Sequence, residues 1–239
     1  MIDVETPLGL LWSGETLFVS SKAGVDADTG FDGRRFSGHR VVVALPDGTG
    51  ESNGLTLAPD GRIHMGSSAP CDHCGTTLPY SAAIVSFRAD GTDVRVDARG
   101  IRAPIGLSYY PGTSDLFVTM NQRDDLGAKT PGDWLAVVRP GDDWGFPNCY
   151  GQGGAACAGA PRPVATLDQH AAVSGVAILT GQLGPSIGNA TIVVEWAKGL
   201  GPAKSPSSRR VAGTRGRSRP SSPASRTPSP GCSHHQARC

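Results

Sequence analysis

At 239 residues the chain is long enough to bury a sizeable core, as one large domain or two small ones. Its 33 glycines and 19 prolines, set against 6% aromatic residues, fit many short strands and tight turns better than packed helices. The formal charge of +1 conceals an asymmetry: residues 201–239 carry Lys204, seven arginines and no acid, which leaves 14 bases against 21 acids before them. Such an acidic body offers no footprint for nucleic acid. No apolar run reaches the roughly 18 residues of a membrane span. The opening MIDVETPLGLLWSG has two acids and no basic region, so it is not read as a signal peptide.

Along the chain one plan recurs four times: PLGLLWSGETLFVSS (7–21), SNGLTLAPDGRIHMGSS (52–68), PIGLSYYPGTSDLFVTMN (104–121) and VSGVAILTGQLGPSIGNATIVVEW (173–196). Each has a turn ending in glycine, an apolar strand, a Gly/Pro/Asp turn and a second strand. The anchoring glycines, Gly9, Gly54, Gly106 and Gly175, lie 45, 52 and 69 residues apart. Alternation at Leu55 and Leu57, or Leu107 and Tyr109, turns one face of each strand toward a core. The turns PDG (59–61) and PGTSD (111–115) read as hairpins. Further strands are expected at 40–45, 82–87, 94–98 and 134–138. About four strands per unit of roughly 45–50 residues is the arithmetic of β-propeller blades. An ordinary sandwich is the alternative, and no helix of useful length is expected.

The stretch from Gly100 to Pro147 concentrates polar chemistry, because two strands there bracket the loop Asn121, Gln122, Arg123, Asp124 and Asp125. The sequence Cys71-Asp72-His73-Cys74 reads as a small loop disulfide or as half of a zinc site, with no second C-x-x-C to complete the metal reading. Cys149 and Cys157 read as a second loop closure, and such pairs fit an oxidising compartment. His170 sits at a strand entrance, either lining a channel mouth or capping backbone; His39 reads as a surface histidine, and Trp144 and Trp196 as packing aromatics.

After about Lys198 the composition turns to Ser, Pro and Arg, too poor in apolar residues to offset its ordering entropy. Residues 1–199 are therefore expected to form the propeller and 200–239 a disordered basic tail. A basic arm for nucleic acid or an anionic surface and a shifted reading frame in a GC-rich gene both account for such a tail. Four units beginning and stopping inside the pattern give the expectation of a truncated ring.

From about residue 7 to 199 the chain resembles the glucose/sorbosone dehydrogenase family. The segments that carry the likeness are NGLTLAPDGRIHMGSSAPCDHC (53–74), GIRAPIGLSYYPGTSDLFVT (100–119), NQRDDLG (121–127), RPGDDWGFPNCYG (139–151), PVATLDQHAAVSGVAILTG (163–181) and VVEWAKG (193–199). The resemblance implies an all-β, six-bladed propeller that binds pyrroloquinoline quinone (PQQ) and calcium. It implies oxidation of an aldose or sugar aldehyde by hydride transfer to the quinone, a separate electron acceptor, and a periplasmic or secreted parent. Arg102 matches an arginine that contacts quinone and substrate oxygens, a catalytic role suited to a permanent cation. Asn121, Gln122, Arg123 and Asp124 match a cofactor-binding loop, with the carbonyls of Gln122 and Arg123, and Asp133, at the metal. The family's basic histidine falls where this chain has Gly50 and Glu51; its Arg-Asn-Pro asparagine is Ala103, and an Asp-Glu-x-Asn run is Asp133-Trp134-Leu135-Ala136. These departures keep a second expectation open, an inactive propeller acting as a binding or scaffold module. A calcium-dependent lactonase on a similar propeller is a third, but it needs acids spread over several blades.

Overall fold

The computed structural model describes residues 4–75 and 77–196 together with the backbone of residues 207–212. Strands β1 (Gly9–Ser13), β2 (Thr16–Ser21), β3 (Gly24–Thr29) and β4 (Gly38–Ala44) form the first antiparallel sheet in chain order. The second contains β5 (Ser52–Leu57), β6 (Ile63–Ser67), β7 (Ala83–Phe87) and β8 (Arg95–Arg99). The third contains β9 (Pro104–Tyr109), β10 (Leu116–Met120), β11 (Trp134–Val138) and the short β12 (Ala165–Thr166). In the fourth, β13 (Val173–Thr180), β14 (Asn189–Glu195) and β15 (Ser207–Ala212) pair in that order. The leading strands pack in series, β1 on β5, β5 on β9 and β9 on β13. Four meanders joined through their first strands are propeller blades, not two stacked layers.

The recurring glycine explains how the blades come so close. A Cβ on Gly9 would lie 2.5 Å from the Asn53 carbonyl oxygen and 3.0 Å from the Gly54 Cα. The same atom on Gly54 would strike the Ile105 carbonyl, and on Gly106 the Ser174 carbonyl, both under 3.0 Å. In each case the obstacle is the residue before the next glycine of the series, so one small residue per blade lets neighbouring inner strands touch backbone to backbone. At Gly175 no described atom lies within 4 Å of that position.

Strand alternation then divides the core into interfaces. Ile63, Met65, Val85 and Phe87 of the second blade pack with Phe18 and Val25 of the first. Ile84 and Ala98 face the other way, toward Leu107, Leu116, Val118 and Met120 of the third. Leu135 and Phe117 in turn meet Val173 and Val193 of the fourth. Neighbours in sequence, such as Ile84 and Val85, thus serve opposite interfaces, as a period of two requires.

Two elements depart from the sequence reading. No strand is expected over residues 24–29, yet β3 pairs with β2 along its whole length. Its Val25 and Ala27 alternate with Asp26 and Asp28 at a period of two, but aspartate is disfavoured in strands and two small apolar residues make too short a run to stand out. The second is β15, which lies inside the segment assigned to a disordered tail and runs antiparallel to β14 from Ser207 to Ala212. Pairing with an open strand edge needs extended backbone rather than an apolar pattern, so composition does not forecast it. The remainder of that expected tail, 200–206 and 213–239, lies outside the described residues.

Candidate functional site

Segments that precede β5 and β9 and those that follow β6 and β10 meet at one end of the blades. They enclose a cavity of about 680 Å³ whose polar lining includes Lys22, Asp47, Glu51, Asp72, Arg102 and Asn121. The repeat itself produces this convergence. Glu51 directly precedes β5, Arg102 stands two residues before β9, and Asn121 directly follows β10. Residues at equivalent loop positions of adjacent blades are carried to the same mouth.

Asp72 is the hub of this mouth. It sits inside the four-residue loop closed by the Cys71–Cys74 disulfide. Its Oδ1 accepts from Arg102 Nη2 at 2.7 Å, and its backbone carbonyl accepts from Arg102 Nε at 3.0 Å. The carboxylate also accepts the backbone N–H groups of Asp124 and Asp125, each at 2.9 Å. Arg102 completes its contacts by donating Nη1 to the Asn121 carbonyl at 3.3 Å. One carboxylate thus joins the second blade to both the arginine and the loop of the third.

The structure brings Arg102 and Asn121 together at the cavity and sends the other loop side chains elsewhere. Gln122 donates through Nε2 to the Tyr150 carbonyl at 2.6 Å and lines a smaller cavity beside Trp134 and Trp144. Arg123 is buried; it grips Asp125 through Nε and Nη2 and lies 4.5 Å over the Tyr150 ring. Asp124 meets His170, whose Nδ1 is 2.6 Å from Oδ1 and whose Nε2 is 2.9 Å from the Gly127 carbonyl. Asp133 is buried beneath the loop, with Oδ1 accepting the Gln122 amide at 2.8 Å and Oδ2 the Val173 amide at 3.2 Å. Each oxygen accepts a backbone amide, so this carboxylate braces the loop from below. What remains of the expected loop site is its main chain and Asn121.

The electrostatics follow from these contacts. The hydrogen bond from Arg123, reinforced by its charge, holds Asp125 down to about 2. Burial pushes the Asp133 carboxyl up, against the pull of the amides it accepts. The Asp124 carboxylate raises His170 above its ordinary value. Asn121 Oδ1 is buried at the mouth without a hydrogen-bond partner among the described residues. Buried amide oxygens of that kind are uncommon and call for a donor.

Other sequence readings find their places. The pairs Cys71–Cys74 and Cys149–Cys157 are both disulfides. His170 caps backbone rather than opening onto the mouth, and it was not among the expected site residues although it fixes their loop. His39 lies on β4, half-exposed, 3.0 Å from Asp28 and 3.6 Å from Asp26. Trp144 stacks on Trp134 at 4.5 Å between ring centroids. Trp196 corrects the expectation of a packing role: it is 62% exposed, lying just past the last paired residue of β14.

No family model matches the sequence, and no curated protein matches it either. Solved structures do. A PQQ-bound aldose sugar dehydrogenase from Streptomyces coelicolor superposes with a TM-score of 0.59 at 20% identity, over 82% of this chain and 63% of that one. A glucose dehydrogenase gives a TM-score of 0.67 at 18% identity, over 88% of this chain and 74% of that one. A calcium structure of a Trichoderma reesei carbohydrate-active enzyme gives 0.62 at 17% identity, over 85% of this chain and 69% of that one. The chain therefore spans just under two thirds of the Streptomyces protein's length. What it shares with these proteins is their β-propeller fold.

Proposed function

We propose that this chain binds pyrroloquinoline quinone together with a divalent cation at the mouth between its second and third blades, and oxidises an aldose or sugar aldehyde there. The observation that carries this reading is the meeting of Arg102 and Asn121 at the 680 Å³ cavity. The fold likeness to a PQQ-bound sugar dehydrogenase supports it. A cavity of that size suits a small planar cofactor with a sugar beside it.

The residues present fit the group. The unpartnered Asn121 Oδ1 awaits a hydrogen-bond donor, and Arg102 supplies a fixed cation for carboxylate or carbonyl oxygens. Lys22 and Arg102 line the mouth against Asp47, Glu51 and Asp72. That excess of negative charge disfavours a polyanionic quinone alone and favours one that arrives with a divalent cation. Carbonyl oxygens of Gln122 and Arg123 are the hard ligands proposed for calcium, with Asp133 holding their segment in place through the Gln122 amide.

When bound, the quinone supplies the hydride acceptor. The chain's part is to orient the sugar, stabilise negative charge on oxygen through Arg102, and take up the hydroxyl proton. Asp72 is occupied by Arg102 and two amides. Glu51 lines the same mouth with no side-chain partner among the described residues, which makes it the proposed proton acceptor. The absence of a histidine there and the ion pair that already engages Arg102 favour one other reading, a propeller that binds ligand without turnover. Purified protein given PQQ, calcium, an aldose and a redox dye separates them. Dye reduction lost in Glu51→Gln supports oxidation, quinone binding without dye reduction supports the binding module, and no quinone binding removes both.

A further inference from the structure

At the opposite end of the same two blades lies a second cleft, of about 690 Å³, that shares no residue with the mouth. Blade alternation assigns the face of the second blade carrying Ile84 and Ala98 to the core shared with the third blade. At its lower end that face turns polar. His64, Arg62 and Ser86 stand where the period of two calls for apolar residues, and a register shift in β8 brings Asp97 in beside them; His64 and Arg62 are only 7% and 4% exposed. Polar groups so placed cost folding free energy unless each is satisfied.

Most of them are. Arg62 donates Nε to Ser86 Oγ at 3.1 Å and Nη2 to the Asp93 carbonyl at 2.6 Å. His64 Nε2 lies 2.9 Å from Asp97 Oδ2, a close approach off the hydrogen-bonding direction that leaves this buried oxygen without a hydrogen bond among the described residues. Tyr109, reaching across from the third blade, brings its hydroxyl to 3.4 Å from His64 Nδ1. Burial, with Asp60 and Asp97 nearby, pushes that phenol up to about 12, so it stays a proton donor across the physiological range. At the rim stand two arginines with weaker engagements. Arg95 touches Asp97 only through Nε at 3.4 Å, and Arg139 Nη2 is 3.3 Å from Asp115. Their side chains are 53% and 63% exposed, so each has guanidinium donors to spare. Between rim and floor the walls are apolar: Pro59, Leu116 and Pro140.

We infer that this cleft is a binding site for a small organic carboxylate with an apolar body, held at its rim by the spare guanidinium donors of Arg95 and Arg139. Guanidinium groups match carboxylate geometry, and the prolines and leucine match the body. The site is independent of the quinone reading, since it lies at the other end of the blades.

Benzoate and inorganic phosphate, titrated separately into the whole chain by calorimetry and by the His64 imidazole NMR signals, test it. Benzoate should bind at millimolar or lower concentration, shift the His64 resonances, and bind about tenfold or more tighter than phosphate. Arg95→Ala with Arg139→Ala changes only exposed side chains, so the variant should fold, and its benzoate affinity should fall about tenfold or more. Arg34→Ala, an exposed change on the first blade, should leave binding unaltered. No benzoate binding, phosphate binding as tight, or affinity unmoved by the double variant would each overturn the assignment.

Discussion

Replacing Asp72 with alanine removes the acceptor on which Arg102 and the loop after β10 both depend. Lost are the ion pair to Arg102 Nη2 at 2.7 Å and the bonds to the amides of Asp124 and Asp125 at 2.9 Å. The Asp72 side chain is 36% exposed, so water takes over part of each interaction and the full charge-assisted value does not apply. Allowing about 0.5 kcal/mol for each of three screened contacts gives roughly 1–2 kcal/mol. For a domain of this size that lowers the unfolding midpoint by about 2–8 °C. Asp72→Asn should do little better, because whichever way its amide turns the NH2 meets a donor, either Arg102 Nη2 or the Asp125 N–H. The effect on quinone affinity should exceed that on stability, since Arg102 is then free to leave the mouth. Thermal unfolding and a quinone titration on the same samples check both. A midpoint unchanged within about a degree, with unchanged quinone affinity, would refute the hub.

Other expectations concern the frame around that hub. Gly106→Ala drives a Cβ into the Ser174 carbonyl and to 2.8 Å from Thr119 Oγ1, and should cost about 2–3 kcal/mol in denaturant unfolding. Gly175→Ala, with no described atom within 4 Å, should stay within about 0.5 kcal/mol of the parent. Asp133→Ala strands the amides of Gln122 and Val173 and should lose about 2–4 kcal/mol by the same measurement. His170 is raised in the folded protein by Asp124, so its contribution is complete below the ordinary histidine value and fades as pH climbs through the raised one. The midpoint difference between the parent and His170→Gln should therefore be largest near about pH 5 and shrink toward about pH 9.

Much of the fold was legible because the blade repeats a signal that survives in single residues. Gly9, Gly54 and Gly106 mark inner strands since the next backbone leaves no room for a side chain there. Leu107 and Val118 keep a period of two because each strand faces a buried interface. Where the period rests on two small apolar residues set among acids, as in β3, the strand escapes notice; it forms because neighbouring strands supply its hydrogen bonds. The site was legible in part. Asn121 drew notice through its polar loop and Arg102 through the family resemblance, and both line the mouth. Sequence order could not show that Arg123 turns back onto Asp125 or that Asp124 reaches His170, because those partners are chosen by loop packing. Asp72 drew attention only as part of a C-x-x-C run. Its spacing from Arg102, 30 residues and one blade away, carries no periodic signature.

The sharpest trial of the account is an equilibrium titration of pyrroloquinoline quinone into the purified chain, followed by the quinone's absorbance, with calcium and again with chelator. Saturable binding that needs calcium and weakens about tenfold or more in Arg102→Ala is the expected result. Binding indifferent both to calcium and to Arg102, or none at all, would contradict a quinone site at the mouth of these blades.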